Sequence, residues 1–284
     1  MKISSLFGET EPVFSFEFFP PKTPAGEDAL LRAVESLRTL EPSYVSVTYG
    51  AGGTTRDKTL DIVGRIKREF AIEAMAHLTC VGHSRADIAA ILDRLDDGGI
   101  ENVLALRGDP PRGEERFVRA QDGFAHASEL VSFIRSSGHD FCIGGAGYPE
   151  GHPECRDLDT DMGHLSTKVD AGLDFVVTQL FYDNADYFSF VERARGTGLT
   201  LPIVPGIMPI TDAQQIQRIA KMCGAKIPDD LRSKLDSAGE AEAVGIDWAY
   251  RQCRQLLEGG APGIHFYTLN KSPATAAILS KLRN

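Results

Sequence analysis

The chain has 284 residues, of which 42% are hydrophobic and 25% are charged, and its formal net charge is −10. This length is sufficient for one α/β barrel of roughly 250 residues, while the negative charge excludes the basic surface typical of nucleic-acid-binding proteins. Five scattered cysteines, none in a CxxC pair, argue against both a disulfide framework and a structural zinc site.

Neither a targeting signal nor a membrane span is indicated by the sequence. Residues 1–9 contain no apolar stretch of the kind found in signal peptides, and no run of about 18 apolar residues occurs. We therefore expect a cytoplasmic protein without a membrane partner. A linker rich in Pro, Gly or Ser is also missing, so residues 1–284 are expected to form a single catalytic domain.

Short apolar runs alternate with amphipathic segments along the chain. The apolar runs predict eight strands near 13–18, 44–49, 72–79, 102–107, 140–146, 174–180, 202–206 and 263–267. The amphipathic segments predict helices over 26–39, 56–69, 85–97, 124–137, 161–172, 184–195, 212–222 and 273–282. Additional helical sequence, at about 229–258, is inserted before the last strand. Eight strand–helix units predict a (β/α)8 TIM barrel, with an open doubly wound sheet as the alternative.

The first predicted strand places a carboxylate on the inner face of the barrel. Side chains alternate between two faces along a strand, so Phe14, Phe16 and Phe18 share one face while Ser15 and Glu17 share the other. The aromatic face should pack against the helices, which puts Glu17 inside, near the carboxyl end of its strand. We expect burial to raise the pKa of Glu17, as a general acid would need. An ion pair with Lys or Arg at the rim is the alternative.

Two glycine-rich segments occur, at 49–56 and at 144–149. The first joins a predicted strand to a helix, so its small residues would let a ligand approach the backbone and the helix N-terminus favours anions. Neither segment matches the GxGxxG dinucleotide fingerprint. Plain tight turns explain both segments equally well.

Further polar residues lie beyond the fourth strand and on one predicted helix. In the segment Arg107–Asp109, the guanidinium could bind phosphate and the carboxylate could accept from a ring N–H, although Gly-Asp-Pro is also a common turn. Asp161, His164 and Lys168 share one helix face, which would face a cofactor only if that helix borders the rim. A solvated charged face is the ordinary explanation.

Nine short stretches occur in one order along the chain. They are SFEFFPPKT (15–23), VSVTYG (45–50), HLTC (77–80), ALRGD (105–109), YPE with HPE (148–154), KVDAG (168–172), TQ (178–179), PGIMP (205–209) and HFYTLN (265–270). Together these stretches resemble bacterial methylenetetrahydrofolate reductases. The resemblance runs from about residue 12 to the end of the chain.

The resemblance implies a (β/α)8 barrel that holds FAD and reduces 5,10-methylenetetrahydrofolate to 5-methyltetrahydrofolate, which supplies methyl groups for methionine synthesis. It implies ping-pong turnover, with NADH or NADPH as the electron donor, and a homo-oligomer. Because the resemblance is to the catalytic barrel, inhibition by adenosylmethionine is not expected.

The resemblance also implies roles for individual residues. Glu17 matches the acid that assists opening of the methylene bridge, and Asp109 matches the carboxylate beside the flavin and the folate pterin. The positions matching flavin contacts are Thr48, Tyr49, Ala51, His77, Arg107, Gly108, Asp109, Tyr148, His152, Asp161, His164 and Lys168. Positions matching substrate contacts are Gln179, Gln215 and Lys271. Some relatives carry Arg in place of Lys271, and Arg could bind a folate carboxylate bidentately where Lys offers only a point charge. Some relatives also carry, in place of Ile219, a Phe that stacks on nicotinamide or folate.

Three alternative functions stay open at this point. A flavin-free reductase would pass the hydride directly from the nicotinamide to folate. A metal-dependent barrel lyase or hydrolase would use His77, His152 and Glu154, but their spacing matches no well-defined metal motif, so no metal is expected. A non-catalytic folate-binding protein would not explain the many polar residues at strand positions that face the inside of the barrel.

Overall fold

A computed structural model describes residues 1–8, 11–49, 56–110, 116–155, 157–237 and 240–283. Its strands are β1 (Val13–Phe18), β2 (Tyr44–Val47), β3 (Ala74–Thr79), β4 (Asn102–Leu106), β5 (Cys142–Gly147), β6 (Phe175–Thr178), β7 (Ile203–Val204), β8 (Gly206–Ile207) and β9 (Gly263–Tyr267). All nine pair in parallel within one sheet, in the order β7-β6-β5-β4-β3-β2-β1-β9-β8.

The sheet closes through β7 and β8. β7 pairs with β6, whereas β8 pairs with β9, and Pro205 is the single residue between β7 and β8. Proline has no N–H to donate to a ladder, but the Pro205 carbonyl accepts from the N–H of His265 at 2.9 Å. β7 and β8 are therefore two halves of one barrel strand, and the predicted eight-stranded barrel is confirmed.

Helices follow the strands around the barrel. They are α1 (Pro24–Arg38), α2 (Arg56–Phe70), α3 (Arg85–Asp97), α4 (Ala127–Ser136), α5 (Leu158–Asp170), α6 (Asn184–Gly196), α7 (Ala213–Cys223), α8 (Asp229–Ser237), α9 (Ala241–Glu258) and α10 (Pro273–Arg283). Side-chain oxygens of Thr23, Ser84, Asp157, Asp183 and Asp212 accept backbone N–H groups at five of the N-termini. Within the described part of the chain, none of these helices has the length and apolar character needed to cross a membrane.

The core has two layers separated by the sheet. Phe14, Phe16 and Phe18 are buried with the apolar faces of the surrounding helices, as strand parity predicts. A smaller cluster fills the barrel interior and includes Tyr44 and Phe175. At the N-terminal end of the barrel, a short 3₁₀ helix over residues 3–6 packs against this inner cluster. The interior is thus packed at one end and can hold a ligand only at the other.

The extra helical segment predicted at about 229–258 forms α8 and α9, but only α8 lies outside the regular ring of helices. α9 packs against α6 and α10 and contributes Ala249 and Leu256 to the outer layer, so it occupies the place of a regular barrel helix. α7 and α8 instead form a separate apolar cluster with Leu180 and Met208, beyond the carboxyl ends of the strands. Apolar residues on α7 therefore cover part of the rim.

Candidate active site

The carboxyl ends of the strands surround a cavity of about 710 Å³. Residues at or just after the end of every barrel strand line it, together with residues of α5 and α7. The sequence-predicted site residues in its lining are Glu17, Thr48, Tyr49, His77, Arg107, Gly108, Asp109, Tyr148, His152, Asp161, His164, Lys168 and Gln179. The fold thus brings most of the predicted set to one place.

Three sequence-predicted site residues are not in this lining. Ala51 lies outside the described residues. Lys271 is exposed because the chain turns away from the rim at Leu269 and Asn270, which both have positive φ. Gln215 lies in the first turn of α7, one turn before Ile219, and Ile219 does reach the cavity. Gln215 and Lys271 are therefore not among the described lining residues, and their substrate contacts stay predictions.

The carboxylate of Glu17 lies between two imidazoles. Its Oε2 is 3.3 Å from Nε2 of His77 on β3 and 3.3 Å from Nε2 of His265 on β9. Nδ1 of His265 is 2.8 Å from Oγ of Ser15, and His265 is fully buried. A carboxylate and two histidines therefore form one cluster at the floor of the cavity.

The expectation that burial raises the pKa of Glu17 is wrong in direction. Burial does act to raise the pKa, but the charges and hydrogen bonds of His77 and His265 outweigh it and lower the pKa to about 2. Glu17 is thus a carboxylate at neutral pH. The predicted alternative was an ion pair with Lys or Arg, but histidines supply the partners.

The segment after β9 fixes the backbone around Glu17. Oγ1 of Thr268 donates to the Glu17 carbonyl at 2.6 Å. The side-chain amide of Asn270 accepts from the N–H of Phe19 at 2.9 Å and donates to the Phe19 carbonyl at 2.8 Å. These contacts hold the end of β1 in register with β9.

His265 was missed as a site residue by sequence reasoning, although it lies in the quoted stretch HFYTLN. A parity argument for the last strand would have found it, because His265 and Tyr267 share the inner face with a register partner each on β1. Met208, Ile219 and Cys223 also line the cavity. Burial raises the pKa of the Cys223 thiol to about 11, so it is neutral at physiological pH.

The residues after β4 reach the cavity by a turn in the backbone. The parity of β4 would send Arg107 and Asp109 outward, because Leu104 and Leu106 occupy the inner face. The strand ends at Leu106, and Gly108 with φ +87° redirects the chain so that both side chains line the cavity. A glycine is required here because a Cβ would overlap the side chain of Val81, which follows β3.

Arg107 already has a carboxylate partner. Its two terminal nitrogens lie 2.7 and 2.6 Å from the two carboxylate oxygens of Glu154, and this bidentate pair raises the pKa of Arg107. The guanidinium also stacks 5.2 Å from the ring centre of Phe117. A phosphate at Arg107 would therefore compete with Glu154.

The charged face predicted on α5 borders the cavity. Asp161, His164 and Lys168 all line it, which favours a ligand-facing stripe over a purely solvated face. Nζ of Lys168 donates to the carbonyl of Ala146. Burial lowers the pKa of Lys168 to about 8, against the opposing effect of Asp161.

The residues proposed for a metal-dependent enzyme do not form one ligand group. Among the residues that the structure describes, the ligand atoms that lie within 4.8 Å of one another belong to Cys155, Asp161 and His164. Glu154 is paired with Arg107, and His77 faces Glu17. The arrangement of His77, His152 and Glu154 thus gives no support to that alternative.

A sequence model of the methylenetetrahydrofolate reductase family matches residues 2–283 of the chain. Methylenetetrahydrofolate reductase (NADH) 1 of Arabidopsis thaliana is 42% identical over 295 residues, which cover 99% of this chain and 50% of the plant protein. The 5,10-methylenetetrahydrofolate reductase of Pectobacterium carotovorum subsp. carotovorum is 37% identical, covering 94% of this chain and 89% of that protein. The chain spans about half the length of its plant relatives.

A solved structure from Clostridium thermocellum has a similar fold, with a TM-score of 0.65 over 96% of this chain and 95% of that chain. That protein is described as uncharacterized and as binding two copies of 5-methyl-5,6,7,8-tetrahydrofolic acid. The two sequences are 15% identical. At this identity the similarity establishes a shared fold and nothing more.

Substituting Gly108 tests whether the turn after β4 shapes the site. Both Gly108 and Gly138 have positive φ, +87° and +89°, but a Cβ at Gly108 would lie 2.7 Å from Cγ1 of Val81, while one at Gly138 would meet nothing within 4 Å. We expect Gly138→Ala to lower the free energy of unfolding by about 1 kcal/mol, through backbone strain alone. Gly108→Ala should lower it by about 2–4 kcal/mol, because overpacking adds to that strain. Equal losses in urea denaturation would contradict this account.

Proposed function

This chain belongs to the methylenetetrahydrofolate reductase family, and we propose that it reduces 5,10-methylenetetrahydrofolate to 5-methyltetrahydrofolate, with FAD as cofactor and NADH or NADPH as electron donor in a ping-pong cycle. The observation that carries this proposal is the cavity at the barrel rim, where a buried carboxylate–imidazole cluster lies across from cationic side chains. Family membership supports the reaction class. Methyl-group supply for methionine synthesis and a homo-oligomeric state stay predictions.

The residues of the cavity suit a flavin dinucleotide. Its volume of about 710 Å³ lies within the usual range of roughly 300–1,000 Å³ for ligand sites. Arg107, His164 and Lys168 offer donors for a diphosphate. Nε2 of His77 is buried and faces the Glu17 carboxylate at 3.3 Å, without a hydrogen bond of good geometry among the described residues. The absence of a GxGxxG loop agrees with flavin binding by barrel residues.

A bound flavin would supply the hydride chemistry, accepting a hydride from the nicotinamide and passing it to the folate. The protein's part is to orient the reactants and to set the charges around them. Asp109, in the turn after β4, adds a negative charge to the cavity. This charge would disfavour another negative charge nearby, and it would stabilise a cationic folate iminium. Gln179 lines the same cavity after β6 and offers an amide for the substrate.

Glu17 is placed to serve the folate. Its carboxylate lies at the floor of the cavity, with its backbone held by Thr268. Opening the methylene bridge requires a proton on the departing nitrogen of folate, and a positioned acid lowers that barrier. Because Glu17 is ionised at neutral pH, it would take up a proton from solvent and pass it to that nitrogen. We assign this proton transfer to Glu17, and we assign no part in nicotinamide oxidation to it.

Reductive titration of the purified protein tests the proposal. We expect a yellow protein whose flavin absorbance bleaches with NADH or NADPH under anaerobic conditions and returns on addition of methylenetetrahydrofolate. Comparing the two nucleotides in the same titration identifies the preferred donor. A protein that never takes up added FAD, yet still transfers hydride from the nicotinamide to folate, would replace the proposal with the flavin-free reductase. Sensitivity to chelators with stoichiometric metal would favour a metal-dependent enzyme instead.

The partly buried Lys168 predicts a pH dependence of FAD binding. The pKa of Lys168 is lowered to about 8, so the ammonium is present below that pH and is lost above it. Because an anionic diphosphate favours the ammonium, binding takes up a proton above pH 8, and affinity should fall by up to about tenfold per pH unit. We expect this decline when flavin fluorescence quenching is measured between pH 7 and 9.5. Lys168→Met should bind FAD more weakly with no such slope, and an unchanged slope in this variant would contradict the assignment.

A further inference from the structure

We propose that Phe19 packs against the aminobenzoyl ring of the folate and so helps the site to select folates, and that Asn270 holds Phe19 in place for this contact. The proposal rests on the function proposed above, and it adds an apolar contact to the polar residues already assigned to the substrate. Phe19 would touch the folate directly, whereas Asn270 is a positioning residue that acts through Phe19.

Phe19 is exposed although the residues on either side of it are buried. Phe18 and Pro20 are both buried, whereas 43% of the Phe19 side chain is accessible to water. Among the described residues, six large hydrophobic side chains are exposed, and Phe19 is the one of these that lines the cavity. A ligand that covered this ring would remove apolar surface from water, which is favourable. The cavity wall therefore offers an aromatic surface beside its polar groups.

The backbone of Phe19 is held from both of its polar groups. β1 ends at Phe18, yet the side-chain amide of Asn270 accepts from the Phe19 N–H at 2.9 Å and donates to the Phe19 carbonyl at 2.8 Å. One side chain thus makes the two hydrogen bonds that a neighbouring strand would otherwise make. The segment after β9 thereby fixes an exposed aromatic residue at the rim.

The residues that follow Phe19 are fixed as well. The rings of Pro20 and Pro21 restrict φ at both positions. Nζ of Lys58 on α2 donates to the carbonyls of Pro21 and Lys22 at 3.2 and 3.3 Å. Because its backbone is anchored on both sides, Phe19 would lose little freedom when a ligand packs on it, so the contact is organised in advance.

The position of Phe19 next to Glu17 identifies the part of the folate that it meets. In 5,10-methylenetetrahydrofolate, the bridge nitrogen that departs is bonded directly to the aminobenzoyl ring, whereas the other bridge nitrogen belongs to the pterin. A folate that presents the departing nitrogen to Glu17 therefore has its aminobenzoyl ring beside Glu17. The α-carbons of Glu17 and Phe19 are two residues apart and so are separated by at most about 7 Å. This places the aminobenzoyl ring within reach of the Phe19 ring, and such aromatic pairs attract.

Binding of folic acid, an oxidised folate with the same aminobenzoyl ring, tests the contact in the FAD-loaded protein. Phe19→Leu keeps an apolar side chain but removes the aromatic ring. We expect it to weaken folic acid binding by about fivefold, the usual gain from an aromatic pair, and to weaken binding of 6-methylpterin, which has no aminobenzoyl group, by less than about twofold. Phe19→Tyr should bind both probes like the unaltered protein. Phe188→Leu, the same change at a partly exposed phenylalanine outside the described cavity lining, should alter neither affinity.

Stopped-flow measurement of the two half-reactions separates this contact from the proposed function. Hydride transfer from the nicotinamide needs no proton from Glu17, so in Phe19→Leu we expect flavin reduction by NADH to change less than about twofold, while the methylenetetrahydrofolate concentration for half-maximal reoxidation rises about fivefold. Failure of folic acid to bind the unaltered protein, or equal effects of Phe19→Leu on folic acid and 6-methylpterin, would overturn the contact. If methylenetetrahydrofolate never reoxidises the flavin, the proposed function fails, while the titrations with the two probes still decide the contact.

A double-mutant cycle tests the positioning role of Asn270. Asn270→Ala removes both hydrogen bonds to the Phe19 backbone. We expect it to weaken folic acid binding by about threefold when Phe19 is present and by much less in the Phe19→Leu background, because the two residues act through one contact. Equal losses in the two backgrounds would show that Asn270 has only a structural role, and would overturn its assignment as a positioning residue.

Discussion

The interaction between Glu17 and the imidazoles of His77 and His265 is the constraint on which the site depends. A carboxylate at the floor of a barrel loses much of its hydration, and only nearby positive charge or hydrogen bonds keep it ionised. The three side chains come from β9, β1 and β3, which lie within four consecutive strands of the sheet, so the cluster exists only when the last strand of the chain has paired with the first. The Pro205 carbonyl holds β9 on its other side, next to β8.

The rest of the rim is arranged around this floor. The turn at Gly108 brings Arg107 and Asp109 to the cavity, and α5 lines the cavity with Lys168. α7 and α8 cover the rim, because α9 has taken the place of a regular barrel helix. Cationic groups for an anionic cofactor are thereby separated from the acid–base cluster that would serve the folate, and one cavity can accommodate both tasks.

Local pattern was enough to predict the eight strands, their helices and the inward direction of Glu17, since strand alternation is a property of the backbone. It could not predict contacts made by closure: Glu17 and His265 are 248 residues apart in sequence. For the same reason the pKa of Glu17 was expected to rise, whereas its histidine partners lower it. Strand alternation also misplaces Arg107 and Asp109, because the strand ends one residue earlier and a left-handed glycine follows. Local pattern also did not predict that Lys271 is exposed and outside the cavity lining, because this depends on a turn formed by Leu269 and Asn270, which both have positive φ.

Separating the two half-reactions of Glu17→Gln is the most direct test of the central claim, that this cluster serves the folate and not the nicotinamide. Glutamine keeps the shape of the side chain and can still accept from His265, but it carries no proton to deliver. The account predicts that the variant binds FAD and is reduced by NADH at nearly the rate of the unaltered protein, while reoxidation by methylenetetrahydrofolate falls by about 100-fold or more. Equal loss of both half-reactions, or full retention of the folate step, would contradict it.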